Sequence, residues 1–332
     1  MPTSINTTNL SLPDLRRQLC RLGGEYIVDE ARILTETLDQ TFVSAVIFLA
    51  ILRANVDGIT VSPDVALRHL NLNQTPSDDN RLPVSVYALA RTLSVPYETV
   101  RRHVHKLQKA DLCTQVAGGV IVPTRILIQA EAREATLTTQ RAVQRFVNEA
   151  GRFGIFGNPR VVSTTADAPL QVARLSTDYF LDTVRAMTEG MNVDMVSALV
   201  LHAIGQMNTV GVRRDPGLGS AFGGLEDVPP DDLRKPISVY SVSRFLRLPY
   251  ETTRRTCLWL AELGLVNRNE DGAWTVPTEV FASPSMMAAF ARLAALTQTY
   301  LDQLAEYGVA PRDAEHRRWP TETAQGAIAL AV

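Results

Sequence analysis

The sequence predicts a mainly α protein with small β-hairpin additions, built from two tandem copies of one unit. Three observations predict it. The stretch VPYETVRRHVHKLQKADL at 95–112 returns as LPYETTRRTCLWLAELGL at 248–265. Apolar residues recur at helical spacing through most of each copy. Short β-rich runs flank Gly118-Gly119 in one copy and Asp271-Gly272 in the other, and such pairs punctuate hairpins.

The duplication extends well beyond the quoted stretch. Pro96 aligns with Pro249 at an offset of 153 residues, which also pairs Tyr26 with Tyr179, Asp29 with Asp182 and Thr35 with Thr188. Over 83–112 against 236–265, 14 of 30 residues are identical, too many for a shared turn alone. After the hairpin the offset becomes 154, pairing Val122-Pro123-Thr124 with Val276-Pro277-Thr278. The extra residue falls between two candidate strands, where a hairpin tolerates it. The expected organisation is an N-terminal extension at 1–23, repeat one at 24–155, a linker at 156–175, repeat two at 176–310 and a tail at 311–332. The tail turns Ala-rich after a charged start and is expected to be partly disordered or loosely docked.

Each copy opens with two helices, the second strongly apolar. Phe42–Leu52 and Met195–Ile204 are hydrophobic nearly all round, which means burial on every side. Phe42–Leu52 is far shorter than the ~20 residues a bilayer requires, so no membrane span is expected. These helices are expected to form the central scaffold where the repeats meet, or a homodimer interface, with the intramolecular arrangement preferred. A polar loop follows, GVRRDPGLGSAFGGLEDVPPDD in repeat two, long enough to suggest mobility. Val84–Leu93 then reads as a short helix with Val86, Leu89, Ala90 and Leu93 on one face. Pro96 suits the first turn of a second helix running to Lys109, with Val100, Val104 and Leu107 facing inward. The hairpin comes next, and a largely helical segment to Phe153 closes the unit.

A short helix, a tight turn, a longer helix and a hairpin together make a winged helix-turn-helix. The expected fold is therefore two tandem winged-helix repeats on an apolar helical scaffold. The residues Val95, Thr99, Val100, Arg101, Val104, Leu107 and Leu112 resemble the DNA-binding module of the GntR family of bacterial regulators. In repeat two the matching residues are Leu248, Thr252, Arg254, Leu260, Gly264 and Leu265. The resemblance is to the module, since nothing here is similar to that family's ligand-binding domains, and MarR-like winged helices share much of the spacing. It implies that Tyr97, Glu98, Thr99 and Arg101, with Tyr250, Glu251, Thr252 and Arg254, face base edges.

Elementary chemistry agrees with that implication. A helix N-terminus offers free N–H groups to phosphate, and arginine can hold guanine O6 and N7 together. Arg102 and Arg255 lie about 100° further round the helix and suit phosphate better. The competing structural reading packs Tyr97 under the turn, uses Glu98 to cap or to pair with an arginine, and leaves the arginines solvated. Tyr87 and Tyr240, one helix earlier, are expected in the core or in helix packing.

The copies are unequal. Helix Pro96–Lys109 carries Arg101, Arg102, Lys106 and Lys109 against Glu98, whereas Pro249–Glu262 balances Arg254 and Arg255 with Glu251 and Glu262. The solvent-side pair His105-Lys106, a candidate DNA contact, becomes Leu258-Trp259. An apolar pair there requires cover, so Trp259 is expected against the other repeat or a second chain.

The formal net charge is −2, so any nucleic-acid partner must be met by a local patch. Cys20, Cys113 and Cys257 form no C-x-x-C pair and read as reduced thiols. The N-terminus lacks a signal pattern, and a cytoplasmic protein is expected. His103 and His105 sit on different helix faces, so they are not a metal pair. No catalytic or phosphate-cradling motif stands out, and neither enzyme activity nor a cofactor is expected. The reading is a transcriptional regulator of double-stranded DNA, its two units imitating a dimer. A plasmid- or phage-like replication initiator, or a protein-interaction scaffold that has lost DNA binding, are the alternatives.

Overall fold

The computed structural model describes residues 14–60, 77–156 and 169–311. The expectations for the first thirteen residues, the loop at 61–76, most of the linker and the tail after 311 lie outside the described residues. The chain is mostly helical, with two small antiparallel two-stranded sheets.

Four 23-residue helices form the centre: α1 (Arg16–Leu38), α6 (Ala130–Arg152), α7 (Pro169–Met191) and α14 (Pro284–Glu306). α1 and α7 each pack against both α6 and α14. α1 begins within the stretch read as an extension and α7 within the linker, because Leu15, Leu19, Val172 and Leu175 are buried. Tyr26, Phe146, Tyr179 and Tyr300 meet at the heart of this bundle. Tyr179 and Tyr300 stack at 4.4 Å between centroids, with Tyr26 5.7 Å from Tyr300 and 5.4 Å from Phe146. The duplication offsets pair Tyr26 with Tyr179 and Phe146 with Tyr300, so each copy supplies one equivalent pair. The buried hydroxyls find partners: Tyr179 with Thr297 at 2.8 Å and Tyr300 with Ser176 at 2.7 Å.

The two most apolar helices do lie where the repeats meet, each packing against the other copy, but the four long helices and not these two form the centre. α2 (Phe42–Thr60) and α8 (Met195–Asn208) lie between the bundle and an outer unit. α2 packs against α1 and α7 on one side and against the outer helices of its own copy on the other; α8 does the same with α1, α7 and its own outer helices. A helix with structure on both sides must be apolar on both sides, whichever layer it occupies.

Each outer unit holds a short helix, a turn, a longer helix and a hairpin. In the first copy these are α3 (Val86–Leu93), α4 (Tyr97–Lys109), β1 (Thr114–Val116) and β2 (Gly119–Ile121), closed by α5 (Thr124–Leu127). Ser85 caps α3 by accepting from the Ala88 N–H at 3.1 Å, and Ser94 ends it in the left-handed region at φ 53°. Leu89, Ala90, Leu93, Val100, Val104 and Leu107 form the buried seam. Val84, read as helical, is instead extended and exchanges backbone hydrogen bonds with Val120 at 3.2 and 2.9 Å. The Cβ that any other residue would carry at Gly119 collides with the Val84 backbone, so the second glycine lets these strands approach.

The loop at 211–232 departs from the mobility expected of it. It contains α9 (Val210–Arg214) and α10 (Pro216–Ala221), and Asp215 caps α10 through the Gly217 and Leu218 N–H groups. Beyond it, the Gln18 N–H donates to Gly223 O at 3.2 Å, Arg21 to Phe222 O at 2.9 Å, and Leu225 N–H to Asp14 at 3.0 Å. Arg17 donates to Gly224 and Leu225 carbonyls in the same place. α1 of the first copy therefore holds this segment, through partners some two hundred residues away.

The second outer unit repeats the first with α11 (Val239–Leu246), α12 (Tyr250–Glu262), β3 (Asn267–Arg268), β4 (Trp274–Thr275) and α13 (Thr278–Phe281). Its hairpin corrects the two-residue Asp271-Gly272 turn. Gly272 N–H donates to Asn269 O at 3.0 Å and Asn269 N–H to Ala273 O at 2.9 Å, so Glu270, Asp271 and Gly272 make a three-residue loop. Gly272 takes the left-handed position at φ 79°. In the first copy only Ala117 and Gly118 lie between the paired Val116 and Gly119, so this loop accounts for the inserted residue.

A buried asparagine fastens each outer unit to the helix beneath. Asn55 on α2 donates to Leu82 O at 2.8 Å and Val120 O at 3.1 Å, while its Oδ1 accepts from Val122 N–H at 2.8 Å. Asn208 on α8 repeats this with Lys235 O at 2.8 Å, Trp274 O at 3.0 Å and Val276 N–H at 3.0 Å. The sequence reading missed both. Their offset of 153 within otherwise apolar helices was the available signal.

Candidate nucleic-acid interface

Leu107 and its buried neighbours fix one face of α4 inward, which turns a basic face outward. Tyr97, Glu98, Arg101, Arg102, His105 and Lys106 are all exposed, and Thr99 is half-buried. Thr99, Arg101, Arg102, His105 and Gln108 line one open concavity, to which Gln115 of β1 contributes. Both arginines therefore border the same hollow, despite their different angles on the helix. Gly118 is exposed at the hairpin tip, whereas Gly119 is buried.

His103, between these residues, is a structural histidine. Its Nδ1 lies 2.8 Å from Ser44 Oγ on α2. Burial, then the positive charges of Lys106 and Arg102, hold its pKa down to about 4, so the ring is neutral near pH 7. His105 faces solvent, on the other side of the helix.

The glutamates act as partners for arginine. Glu98 pairs with Arg101 at 2.8 Å. Glu251 takes both arginines of its copy, Arg254 and Arg255, each at 2.9 Å. Hydrogen bonds from these two hold the Glu251 carboxyl down to about 2. The first copy leaves Arg102 outside its clasp, and the second engages both cations. Identical Glu-x-x-Arg-Arg spacing hid this difference, because rotamer choice decides it. Tyr250 and Thr252 are exposed beside the clasp, and Asp271 is exposed on the hairpin.

Tyr87 and Tyr240 correct the sequence reading. Expected in the core or in helix packing, they are 64% and 62% exposed, the most exposed large hydrophobic side chains among the described residues. With Leu89, Ala90 and Leu93 inward, the helical period puts position 87 outward, so the signal was present and was misread as packing. Arg244 lies over the Tyr240 ring at 6.0 Å.

Leu258 is half-buried against the core, but Trp259 is 49% exposed, with Leu263 exposed one turn further on. The expectation that the other repeat covers Trp259 is corrected, because the side chain is exposed and no described residue of the other copy buries it.

Among the described residues no group of three or more His, Cys, Asp or Glu converges as metal ligands. Among the same residues no single helix is long and apolar enough to cross a membrane. No protein-family model, curated protein or solved structure matches this chain.

Proposed function

We propose that the chain binds double-stranded DNA through two winged helix-turn-helix units in one polypeptide, as a sequence-specific regulator of transcription. The observation that carries this reading is the exposed face of α4, where Arg101, Arg102, His105 and Lys106 sit outward beside a two-stranded wing. Arg101 suits base edges, once Glu98 releases it or shares it, and Arg102 and Lys106 suit phosphates. The second unit contributes less, because Glu251 neutralises its arginines locally. Tethering offsets that weakness by raising the effective concentration of the second unit at the duplex.

Fluorescence anisotropy with a labelled duplex over a salt series tests the proposal. Log K is expected to fall with log salt by about 0.9 for every phosphate engaged, so contacts to three or more phosphates give a slope of about −3 or steeper. No binding at low salt, or a flat response, overturns it.

A second reading, a protein-contact surface, is favoured by exposed Trp259 and Leu263 on α12. A second copy of this chain is the simplest occupant. Trp259→Lys is expected to change folding stability by less than about 0.5 kcal/mol, since the site is exposed. It is expected to reduce self-association in sedimentation velocity; an unchanged sedimentation profile rejects that occupant.

A further inference from the structure

The duplication places two cavities at equivalent positions, and only one is open. The first, about 250 Å³, lies between α1, α2 and α6 of the first copy and α7 of the second. Its counterpart, between α8, α14 and α1, is about 60 Å³. The offsets explain the difference residue by residue. Leu127, Ala132 and Thr136 line the open cavity, and their counterparts Phe281, Met286 and Phe290 line the small one. Phe281 and Phe290 stack at 5.7 Å, and the Arg17 guanidinium covers Phe290 at 5.1 Å. Phe281 also occupies the space beside Gly205. In the second copy, bulky side chains thus fill the volume that the first copy leaves empty.

The open cavity is not merely underpacked. Ile33, Leu34, Phe48, Leu49 and Leu52 give it apolar walls, Arg53, Arg81, Glu131, Arg174 and Asp178 add charged groups to the lining, and Glu30 lies among the apolar residues at 5% exposure. Glu30 Oε1 accepts from the Thr139 hydroxyl at 2.8 Å and the Tyr26 hydroxyl lies close to the carboxyl, whereas Oε2 is buried with no partner in hydrogen-bond geometry. The counterpart of Glu30 is Thr183, which carries no charge. A carboxylate acceptor left unsatisfied in an apolar chamber fits a guest that brings a donor. Ligand sites pair apolar walls with a few polar groups in this way.

We propose that the first-copy cavity binds a small, mostly apolar molecule whose single polar head donates a hydrogen bond to Glu30. Alcohols and amines share that chemistry. Burial pushes the Glu30 carboxyl up to about 7, so an amine that ion-pairs with it also favours its charged form. Leu112 and Arg81, at the base of the first outer unit, line the same cavity, so an occupant touches the seat of that unit.

The test is calorimetric titration of the full chain with 1-octanol and with octylamine, and it does not depend on DNA binding. Saturable one-to-one binding of both probes is expected. The double variant Ala132→Met with Thr136→Phe installs the side chains the second copy already carries there. It is expected to weaken both probes roughly tenfold or more, with the circular dichroism spectrum and thermal transition retained. Thr136→Phe alone serves the same purpose should the double variant fold poorly. Glu30→Gln is expected to weaken octylamine far more than 1-octanol. Failure of the unaltered chain to bind either probe saturably overturns the proposal, as does undiminished binding in the filled variants. Equal affinity of octylamine for Glu30→Gln and the unaltered chain removes Glu30 as the seat of the head group.

Discussion

Asn55→Ala is expected to lower folding stability by about 2–4 kcal/mol, because it strands buried backbone groups as well as losing packing. The Asn55 amide satisfies Val122 N–H and binds Leu82 and Val120 carbonyls, and Val120 and Val122 are buried. Asn55→Asp is expected to be worse near neutral pH, since it turns an acceptor toward two carbonyl oxygens. Acidification, by protonating that carboxyl, is expected to recover part of the loss. Asn208→Ala is expected to match Asn55→Ala, because its three bonds are the same. Exposed Asn80, bonded to Ser77 at 3.0 Å, provides the control, with an expected change below about 0.5 kcal/mol. Urea midpoints measure all four. Equal shifts for Asn55→Ala and Asn80→Ala would show that the buried asparagine does not fasten the outer unit.

Arg102→Ala combined with Lys106→Ala is expected to weaken DNA binding on every sequence alike and to make the salt slope shallower by about 2. Arg101→Ala is expected instead to relax preference between sequences, by about 1–3 kcal/mol at one base position. The equivalent Arg254→Ala and Arg255→Ala are expected to do less, because Glu251 already engages both cations. Glu251→Ala is then expected to strengthen binding, by freeing them. Competition titrations against random duplex separate the two classes of effect. Equal losses from Arg101→Ala on preferred and random duplex would remove base reading by that residue, and indifference to Arg102→Ala with Lys106→Ala would remove the phosphate contacts.

Some elements were legible because the forces that form them are local. Val100, Val104 and Leu107 recur at helical spacing, and Gly118 and Gly272 supply left-handed turns. These act within a few residues, so a linear reading finds them. The hairpin loops were half legible. Their glycines were located, but a two-residue and a three-residue loop share those glycines, and strand pairing decides between them. The segment at 211–232 was misread because its partners, Asp14 to Arg21, lie far away in the chain. Polar composition in a linear reading then resembles a solvated loop. The tyrosines at 87 and 240 were misread for a different reason: an aromatic ring suggests burial, whereas helical phase turns both positions outward.

The sequence by itself determined that this is a duplicated, mostly helical chain with two hairpins, and which helix faces are apolar. Those properties follow from periodicity and from offsets of 153 and 154, which are written in one dimension. Tertiary structure alone decided which helices occupy the centre, which glutamate clasps which arginine, and which of two equivalent cavities stays open. The physical reason is that burial and pairing depend on what faces a side chain across a gap. Two copies of one pattern, meeting each other rather than themselves, give the same residue types different neighbours.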